Sequence, residues 1–196
     1  MDQKPARVRI VDAAHDLMLS IGLARTTTKE IARAAGCSEA ALYKYFSGKE
    51  ELFVTVLTER LPRLGSRLTD LTAGRGTVEG NLTDIARQAA LFYEQTFPMA
   101  ASLYAEPQLR HRHEQGMREL DTGPHRPIQQ LDAYLRAEQD MGRVRADADT
   151  YAAASLLLGA CAQRAFAYAA LPGGTPPQSL DDFAGAVART LLAGIG

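Results

Sequence analysis

The chain has 196 residues, of which 46% are hydrophobic and 23% are charged, and its 22 Lys and Arg nearly balance its 23 Asp and Glu. This composition is typical of a soluble globular protein and argues against extended disorder. The charge is unevenly distributed, because residues 1–50 carry eight basic and six acidic side chains whereas the remainder carries fourteen and seventeen. The mildly basic N-terminal end permits contact with nucleic acid without proving it.

The sequence contains no feature of a secreted or membrane protein. Two cysteines, Cys37 and Cys161, are too few for a disulfide framework and indicate reduced thiols. The first residues lack the apolar run of a secretion signal. The longest run of small apolar residues, 151–162, is shorter than the roughly 20 residues that a bilayer span needs. We therefore predict a cytoplasmic protein that does not associate with a membrane.

Helical periodicity dominates the chain, and no segment alternates with the period of a strand. Apolar residues three and four apart predict a first helix over 8–21, ended by Gly22. The pair Thr27 and Glu30 has the spacing of a capping box and predicts a second helix over about 28–35. Ser38 is the predicted N-cap of a third helix over 39–45, and the segment 47–50 has the pattern of another capping box.

The rest of the chain predicts a bundle of longer helices, near 79–96, 99–117, 125–141, 149–170 and 178–194, with Pro98 as one of the breaks. Residues 72–80, which contain three glycines, are the best candidate for a linker. We predict an all-α protein with an N-terminal three-helix domain over 1–50 and a helical bundle over 51–196. A helix that begins near residue 48 connects the two.

Two short capped helices joined by Gly36 and Cys37 match the plan of a helix-turn-helix, whose second helix enters the major groove of DNA. The outer residues of the second helix are small or flat, which allows a close approach to bases and phosphates. Leu42 and Phe46 lie four residues apart and are predicted to anchor this helix to the core.

The segment from Gly22 to Leu52 resembles the N-terminal domain of the TetR-type transcriptional regulators, notably in T-T-T-K-E-I-A-R-A-A-G-C-S and L-Y-K-Y-F-S-G-K-E-E-L. This highly specific resemblance covers roughly the first quarter of the chain. It implies a three-helix DNA-binding head followed by a divergent helical body that binds a ligand and forms a dimer.

The resemblance also implies roles for individual residues. Phosphate contacts fall at Thr28, Ser38, Tyr43 and Lys49, and a lysine at a helix start adds charge to amides that already face an anion. Lys4, Arg7 and Arg9 are further candidates for backbone contact. Base reading falls at Lys29 and along the third helix, at Glu39, Ala40, Ala41, Tyr43, Lys44 and Tyr45.

Two residues depart from the family pattern. Many relatives have Lys, Arg or Gln at the position of Glu39, where a carboxylate would be repelled by phosphate. Glu39 therefore either accepts a hydrogen bond from a cytosine amine or stabilises the helix N-terminus. Cys37 replaces a Val-like residue, and we interpret it as a small buried side chain, with a redox-sensing thiol as the alternative.

The last two predicted helices are the expected dimer element, and in the family the equivalent helices form a four-helix bundle. The residues expected at this interface, for which an intramolecular core is the alternative, are Ala153, Leu157, Ala160, Phe183, Val187 and Leu191. A symmetric dimer suits a palindromic operator. An apolar effector pocket, for which ordinary core packing is the alternative, is predicted from Phe92, Phe97, Leu103, Tyr104, Met117, Leu120, Tyr134 and Phe166.

No cofactor, metal or catalytic chemistry is predicted. The nearest metal-like group is Glu106, His111, His113 and Glu114, but residues two apart on a helix point in different directions. No nucleophile elbow, phosphate-binding loop or zinc-ligand spacing is present, so we do not expect an enzyme.

The sequence thus predicts a sequence-specific DNA-binding regulator, and specifically a homodimeric repressor that a small, mostly apolar effector releases from its operator. Two alternatives stay open. One is a DNA-binding regulator without a small-molecule effector. The other is a helical ligand carrier or enzyme whose DNA-binding head is vestigial.

Overall fold

The computed structural model describes residues 4–22, 25–60, 64–105, 107, 110–111, 114–115, 118, 123–169 and 175–195, without the side chains of 50, 57, 58, 66, 98–105 and 169. Every regular element within this part of the chain is an α-helix, which confirms the predicted class. None of these helices is both long and apolar enough to cross a bilayer. The chain divides into two compact units, residues 1–61 with 95–121 and residues 62–94 with 122–196.

The first unit contains α1 (Ala6–Ile21), α2 (Thr28–Ala34), α3 (Glu39–Leu42) and α4 (Lys49–Glu59). Helix α1 packs against α2 and α4, and α2 packs against α3. Their apolar stripes meet in one core, because residues three and four apart share a helix face. The largest side chains fully buried in this core are Ile10, Met18, Ile31, Leu42, Leu52 and Phe53.

Helices α2 and α3 begin at the predicted caps, and α2 is followed by the predicted glycine. Thr27 Oγ1 accepts from the Glu30 amide at 3.2 Å, and the Glu30 carboxylate accepts from the Thr27 amide at 3.0 Å, which confirms the capping box. Ser38 Oγ accepts from the Ala41 amide at 3.2 Å as the N-cap of α3. Gly36 follows α2 with φ of +66°, a left-handed conformation that favours glycine.

Two local predictions in this unit are wrong. Helix α3 ends at Leu42 rather than at Tyr45, because the amides of Lys44 and Tyr45 bond three residues back, the second of them to the Leu42 carbonyl at 2.9 Å. Ser47 is not the N-cap that a capping box over 47–50 requires. Gly48 is the N-cap of α4 and has no hydroxyl, and the Ser47 amide instead donates to the Glu51 carboxylate at 2.7 Å.

The second unit contains α5 (Leu64–Thr69), the first part of α6 (Val78–Ala105), α7 (Arg126–Asp140), α8 (Thr150–Ala169) and α9 (Leu180–Ile195). Helix α7 packs against α5 and α8, and α8 packs against α9. The largest fully buried side chains of this core are Leu82, Leu131 and Leu135.

The predicted break at Pro98 is wrong, because α6 continues as one helix from Val78 to Ala105. Proline fixes φ near the helical value, but inside a helix it removes one amide donor and its ring crowds the carbonyl four residues back. Packing of the first part of this 28-residue helix, where Leu82, Ala86 and Ala90 are fully buried, offsets that cost. The carbonyl of Glu94 lacks an amide partner at position 98, and the division between the two units falls directly after Glu94.

The glycine-rich segment at 72–77 is not a linker but a structured loop of the second unit. The Gly74 amide donates to Glu138 Oε1 at 3.2 Å, and Arg143 Nη2 donates to the Gly76 carbonyl at 2.6 Å. Asn81 Nδ2 donates to the Arg75 carbonyl at 2.9 Å. These bonds satisfy the backbone of the loop and tie it to α7. The predicted domain limits, 1–50 and 51–196, stay a prediction.

A buried polar cluster lies where this loop meets the end of α7. Glu138 is 0% exposed, and its Oε2 lies 3.3 Å from Arg143 Nε, in an ion pair rather than a well-aligned hydrogen bond. Asn81 Nδ2 donates to the Tyr134 hydroxyl at 2.8 Å. Burial raises the pKa of Tyr134 to about 12, so this phenol stays protonated at neutral pH. The cluster therefore combines one buried anion with one cation.

Candidate nucleic-acid interface

Helices α2 and α3 form a helix-turn-helix, and most of the residues predicted to read DNA bases are solvent-exposed on it. Lys29, Ala40 and Lys44 are exposed, and the Tyr43 side chain is 51% exposed. Beneath them, Leu42 and Phe46 are buried in the core of the first unit, as predicted. Leu42 and Phe46 thus fix the recognition segment to the core, while its outer side chains remain accessible to solvent. The other residues predicted at the interface are exposed Ser38 and Tyr45 and half-buried Thr28, Glu39, Ala41 and Lys49.

Three of the predicted DNA-binding residues contact one another directly. Thr28 Oγ1 donates to Glu39 Oε1 at 2.6 Å, and the Tyr43 hydroxyl lies 3.3 Å from Thr28 Oγ1. Glu39 is the first residue of α3, which agrees with a favourable position near a helix N-terminus. Its bond to Thr28 is a further contact that sequence reasoning missed. Only the packing of α2 against α3 reveals it, since the two residues are eleven positions apart.

Basic residues of the N-terminal segment take part in bonds within the first unit. Lys4 Nζ pairs with Asp12 at 3.0 Å. Arg7 binds both oxygens of Glu59, at 2.6 and 3.0 Å, and so ties α1 to the end of α4. Arg9 donates to the carbonyls of Ala35 and Lys4, each at 3.0 Å. Phosphate contact by Lys4, Arg7 or Arg9 would have to compete with these partners.

Asp12 makes the first unit sensitive to acid. A hydrogen bond from Lys4 and the charge of Arg60, whose Nε is 2.8 Å away, hold the pKa of Asp12 below its usual value. A depressed folded-state pKa means that the ion pairs stabilise the fold above the unfolded pKa of about 3.9 and lose this effect as the pH falls through the folded value. We expect Asp12→Asn to lower the free energy of unfolding by about 1 kcal/mol or less at pH 7, because the pairs are partly exposed.

The measurement for Asp12 is the difference in unfolding free energy between wild type and Asp12→Asn as a function of pH. This difference should shrink below about pH 4. Asp16→Asn, at a carboxylate with an 80% exposed side chain on the same helix, is the control and should show a smaller difference. A difference that stays constant down to the acid limit would contradict the assignment of the ion pairs.

The two cysteines have different environments. Cys37 is half-buried rather than buried, and it packs against the core of the first unit. Cys161 is buried, and its Sγ donates to the Ala86 carbonyl at 3.3 Å. Burial raises the pKa of Cys161 to about 12, which makes this thiol unreactive in the folded chain.

The described residues contain no group of three or more His, Cys, Asp or Glu placed to hold a metal ion. In the metal-like group predicted over 106–114, His111 is exposed, while Glu106 and His113 lie outside the described residues.

The predicted pocket residues lie in several environments. Phe92 packs against the core of the second unit, and Tyr134 is buried there with its hydroxyl bound to Asn81. Phe166 is 62% exposed. Phe97 is half-buried in the first unit. The side chains of Leu103, Tyr104, Met117 and Leu120 lie outside the described residues, so the effector pocket stays a prediction.

The predicted dimer residues lie mostly on the inner side of α8 and α9. Ala153 and Leu157 are buried within the core of the chain itself, and Phe183, Val187 and Leu191 pack against that core. Ala160 is half-buried. Sequence periodicity could not separate the inner and outer faces of α8, because this helix is apolar nearly all round.

The outer side of α8 carries a stripe of exposed residues at helical spacing: Ala152, Leu156, Gly159, Gln163 and Phe166. The Leu156 side chain is 66% exposed, and Phe166 adds a second large apolar group. A Cβ at Gly159 would meet nothing within 4 Å, so the middle of the stripe is open. Large exposed apolar side chains in one stripe indicate a protein contact surface. We call these five residues the α8 stripe.

A helix-turn-helix with an exposed outer face, in a chain that is otherwise helical, defines a DNA-binding regulator of the helix-turn-helix class. A family model described as bacterial regulatory proteins of the tetR family matches residues 10–56. A second model, described as the C-terminal domain of an AefR-like transcriptional repressor, matches residues 80–193, which is more than half of the chain. The chain belongs to the TetR family of transcriptional regulators, whose members bind operator DNA and form dimers.

Individual relatives support the same assignment. The uncharacterized HTH-type transcriptional regulator YvkB of Bacillus subtilis is 40% identical over 65 residues, which is 33% of this chain and 34% of YvkB. The match thus spans about a third of the length of this curated relative. The structure of Salmonella enterica GusR matches 98% of this chain and 96% of its own with a TM-score of 0.71 and 22% identity. FadR from Bacillus subtilis, in complex with stearoyl-CoA, matches 97% of this chain and all of its own with a TM-score of 0.68 and 16% identity. These structural likenesses concern the fold.

Proposed function

We propose that this chain is a homodimeric repressor that acts in the cytoplasm, where it binds a palindromic operator through α2, α3 and the start of α4. The observation that carries this proposal is the helix-turn-helix with its buried anchors, Leu42 and Phe46, and its exposed Lys29, Tyr43 and Lys44. Two lysines beside exposed aromatic rings suit contact with phosphates and base edges. The proposal assigns no catalytic step to the chain.

A twofold-symmetric dimer matches the symmetry of a palindromic operator. Two copies related by a twofold axis present two recognition helices, which suits half-sites about 34–36 Å apart. The α8 stripe provides exposed apolar surface through which a second copy can pack. We therefore assign the dimer contact to this stripe, together with the outer parts of α9.

We further propose that a small, mostly apolar effector releases the operator. Such a ligand must bind the arrangement that does not fit DNA more tightly than the arrangement that does, or it shifts nothing. The aromatic and methionine side chains proposed to contact this effector are those of the predicted pocket: Phe92, Phe97, Tyr104, Met117, Tyr134 and Phe166. The stearoyl-CoA complex of FadR is an example of a lipid-like ligand on this fold, at 16% identity.

Genome-wide footprinting with the full chain tests DNA binding, followed by a mobility shift on the DNA upstream of its own gene. Tyr43→Ala and Lys49→Ala should each weaken binding about tenfold, the loss expected from one phosphate contact, and Lys49→Ala should reduce the salt slope by about one. Arg75→Ala, which removes an exposed positive charge of the second unit, is the matched control. Unchanged binding in both test variants would refute the residue assignment, and no footprint would refute operator binding.

The effector part of the proposal has its own test. Neutral aromatic and aliphatic compounds, with charged analogues of similar size, are screened for a raised melting temperature of the full chain and for release of bound DNA. We expect release by neutral compounds. Stabilisation and release only by highly charged ligands would contradict an apolar effector. Stabilisation by no compound would favour a regulator without a small-molecule ligand.

A further inference from the structure

The hydroxyl groups of Thr28 and Tyr43 form a chain of hydrogen bonds that ends on the Glu39 carboxylate. Thr28 Oγ1 is 2.6 Å from Glu39 Oε1, a short distance typical of a hydroxyl that donates to an ionised carboxylate. A threonine hydroxyl has a single hydrogen, so once it donates to Glu39 it can only accept from the Tyr43 hydroxyl at 3.3 Å. The order of donation is therefore Tyr43 to Thr28 to Glu39.

This order has a consequence for phosphate binding. A phosphate oxygen accepts hydrogen bonds, so Thr28 and Tyr43 can bind it only by turning their hydrogens outward. In the free chain both hydrogens point along the bonded chain toward Glu39. The half-buried Glu39 carboxylate thus competes with phosphate for the Thr28 hydrogen, whereas Tyr43 gives up only its 3.3 Å bond to Thr28 when it turns to a phosphate.

We propose that Glu39 is a specificity-determining residue, which withholds the Thr28 hydroxyl from phosphate until a cytosine amine in the major groove draws its carboxylate away. This inference rests on the proposed function and deepens it, because it links base reading to backbone binding. At a cytosine the carboxylate exchanges Thr28 for the N4 amine, and the Thr28 hydroxyl then becomes a donor to phosphate.

The chemistry of base edges selects cytosine among the four bases. An ionised carboxylate only accepts hydrogen bonds, and in the major groove guanine presents two acceptors and thymine an acceptor and a methyl group. Adenine offers an amine beside the N7 acceptor, which repels a carboxylate, whereas cytosine offers its amine alone. A wrong base therefore leaves Glu39 on Thr28, and DNA loses the Thr28 phosphate contact as well as a base contact.

The first experiment measures affinity of the full chain for a duplex of random sequence by fluorescence anisotropy. Glu39→Ala should bind this duplex about tenfold more tightly than wild type, since the freed Thr28 hydroxyl donates a hydrogen bond to a charged phosphate. In a Thr28→Val background the same substitution should give less than about a twofold gain. Asp16→Asn, which removes an equal charge from an 80% exposed side chain of α1, should gain less than about threefold.

The second experiment selects binding sites from a randomised duplex library. Wild type should select cytosine at one position of each half-site, and Glu39→Ala should lose that preference while the other selected positions remain. Melting temperatures verify that each variant is folded. If Glu39→Ala is unfolded, Glu39→Gln replaces it, since glutamine keeps an acceptor oxygen without the charge. Glu39→Gln should then show the same changes in affinity and base preference, with a smaller magnitude.

The outcomes separate this inference from the function on which it rests. Failure of wild type to bind any duplex would overturn both. DNA binding by wild type, with unchanged or weaker binding of random DNA by Glu39→Ala, would overturn the inference alone. An equal gain in the Thr28→Val background would also overturn it, because the effect would then be general charge repulsion. Selection of a base other than cytosine at the position that depends on Glu39 would overturn the base assignment.

Discussion

Leu156→Glu is expected to convert the dimer to a monomer while the individual chain stays folded. The Leu156 side chain is 66% exposed in the single chain, so a glutamate there remains hydrated when the chain is monomeric. In a dimer that packs through the α8 stripe, the same carboxylate would be buried without a partner. Truncating or unpairing a buried charge costs about 2–5 kcal/mol, and a twofold interface contains each substitution twice. Operator affinity should then fall by a factor of at least about a hundred.

The measurements are the mass in solution by sedimentation velocity, the circular dichroism spectrum and operator binding. Leu157→Glu is the matched control, because the neighbouring Leu157 is 0% exposed inside the chain's own core. It should unfold the second unit, since a charge enters an apolar core without a partner. A Leu156→Glu chain that remains dimeric with wild-type operator affinity would exclude the α8 stripe as the interface.

Arg143→Met is expected to lower the free energy of unfolding by about 3–5 kcal/mol, the cost of leaving a buried charge without its partner. Glu138 is 0% exposed and has Arg143 as its ion-pair partner. The substitution also removes the donor to the Gly76 carbonyl, which helps to hold the 72–77 loop. Urea unfolding of the full chain, followed by circular dichroism, measures the loss.

A second substitution isolates the charge effect. Arg143→Met combined with Glu138→Met should recover much of the lost stability, because the double variant no longer buries an anion. Arg145→Met is the control. Arg145 forms an exposed pair with Asp147, two residues away, and its loss should change stability by about 0.5 kcal/mol or less. Equal losses of unfolding free energy for Arg143→Met and Arg145→Met would show that the buried pair stabilises the fold no more than the exposed pair does.

Local features of the DNA-binding unit were predictable because they depend on neighbours in sequence. The capping box at Thr27 and Glu30, the N-cap at Ser38 and the left-handed Gly36 each involve residues at most three positions apart. Predictions failed where a local rule competed with packing. Pro98 lies inside α6, and the glycines at 74 and 76 form an ordered loop over Glu138 rather than a linker.

Contacts between residues distant in sequence were beyond prediction. The Thr28–Glu39 hydrogen bond spans eleven positions and exists because the turn at Gly36 sets α2 against α3. The alternatives for Glu39, a base contact or a helix-end charge, did not include a bond to the neighbouring helix. The burial of Glu138 depends in the same way on the 72–77 loop, because the Gly74 amide that donates to Glu138 lies 64 positions earlier in the chain.

The near balance of charge over the whole chain is thus the sum of a mildly basic head and an acidic body, and it excludes neither DNA nor a ligand. The helical class, the helix-turn-helix and the family could be read from the amino-acid order alone, because caps, glycine stops and apolar spacing are local and strongly patterned. The exposed side of the apolar helix α8 and the direction of the Thr28 and Tyr43 hydroxyls became clear from the folded chain. Both properties depend on neighbours that the fold, and not the order of residues, brings into contact.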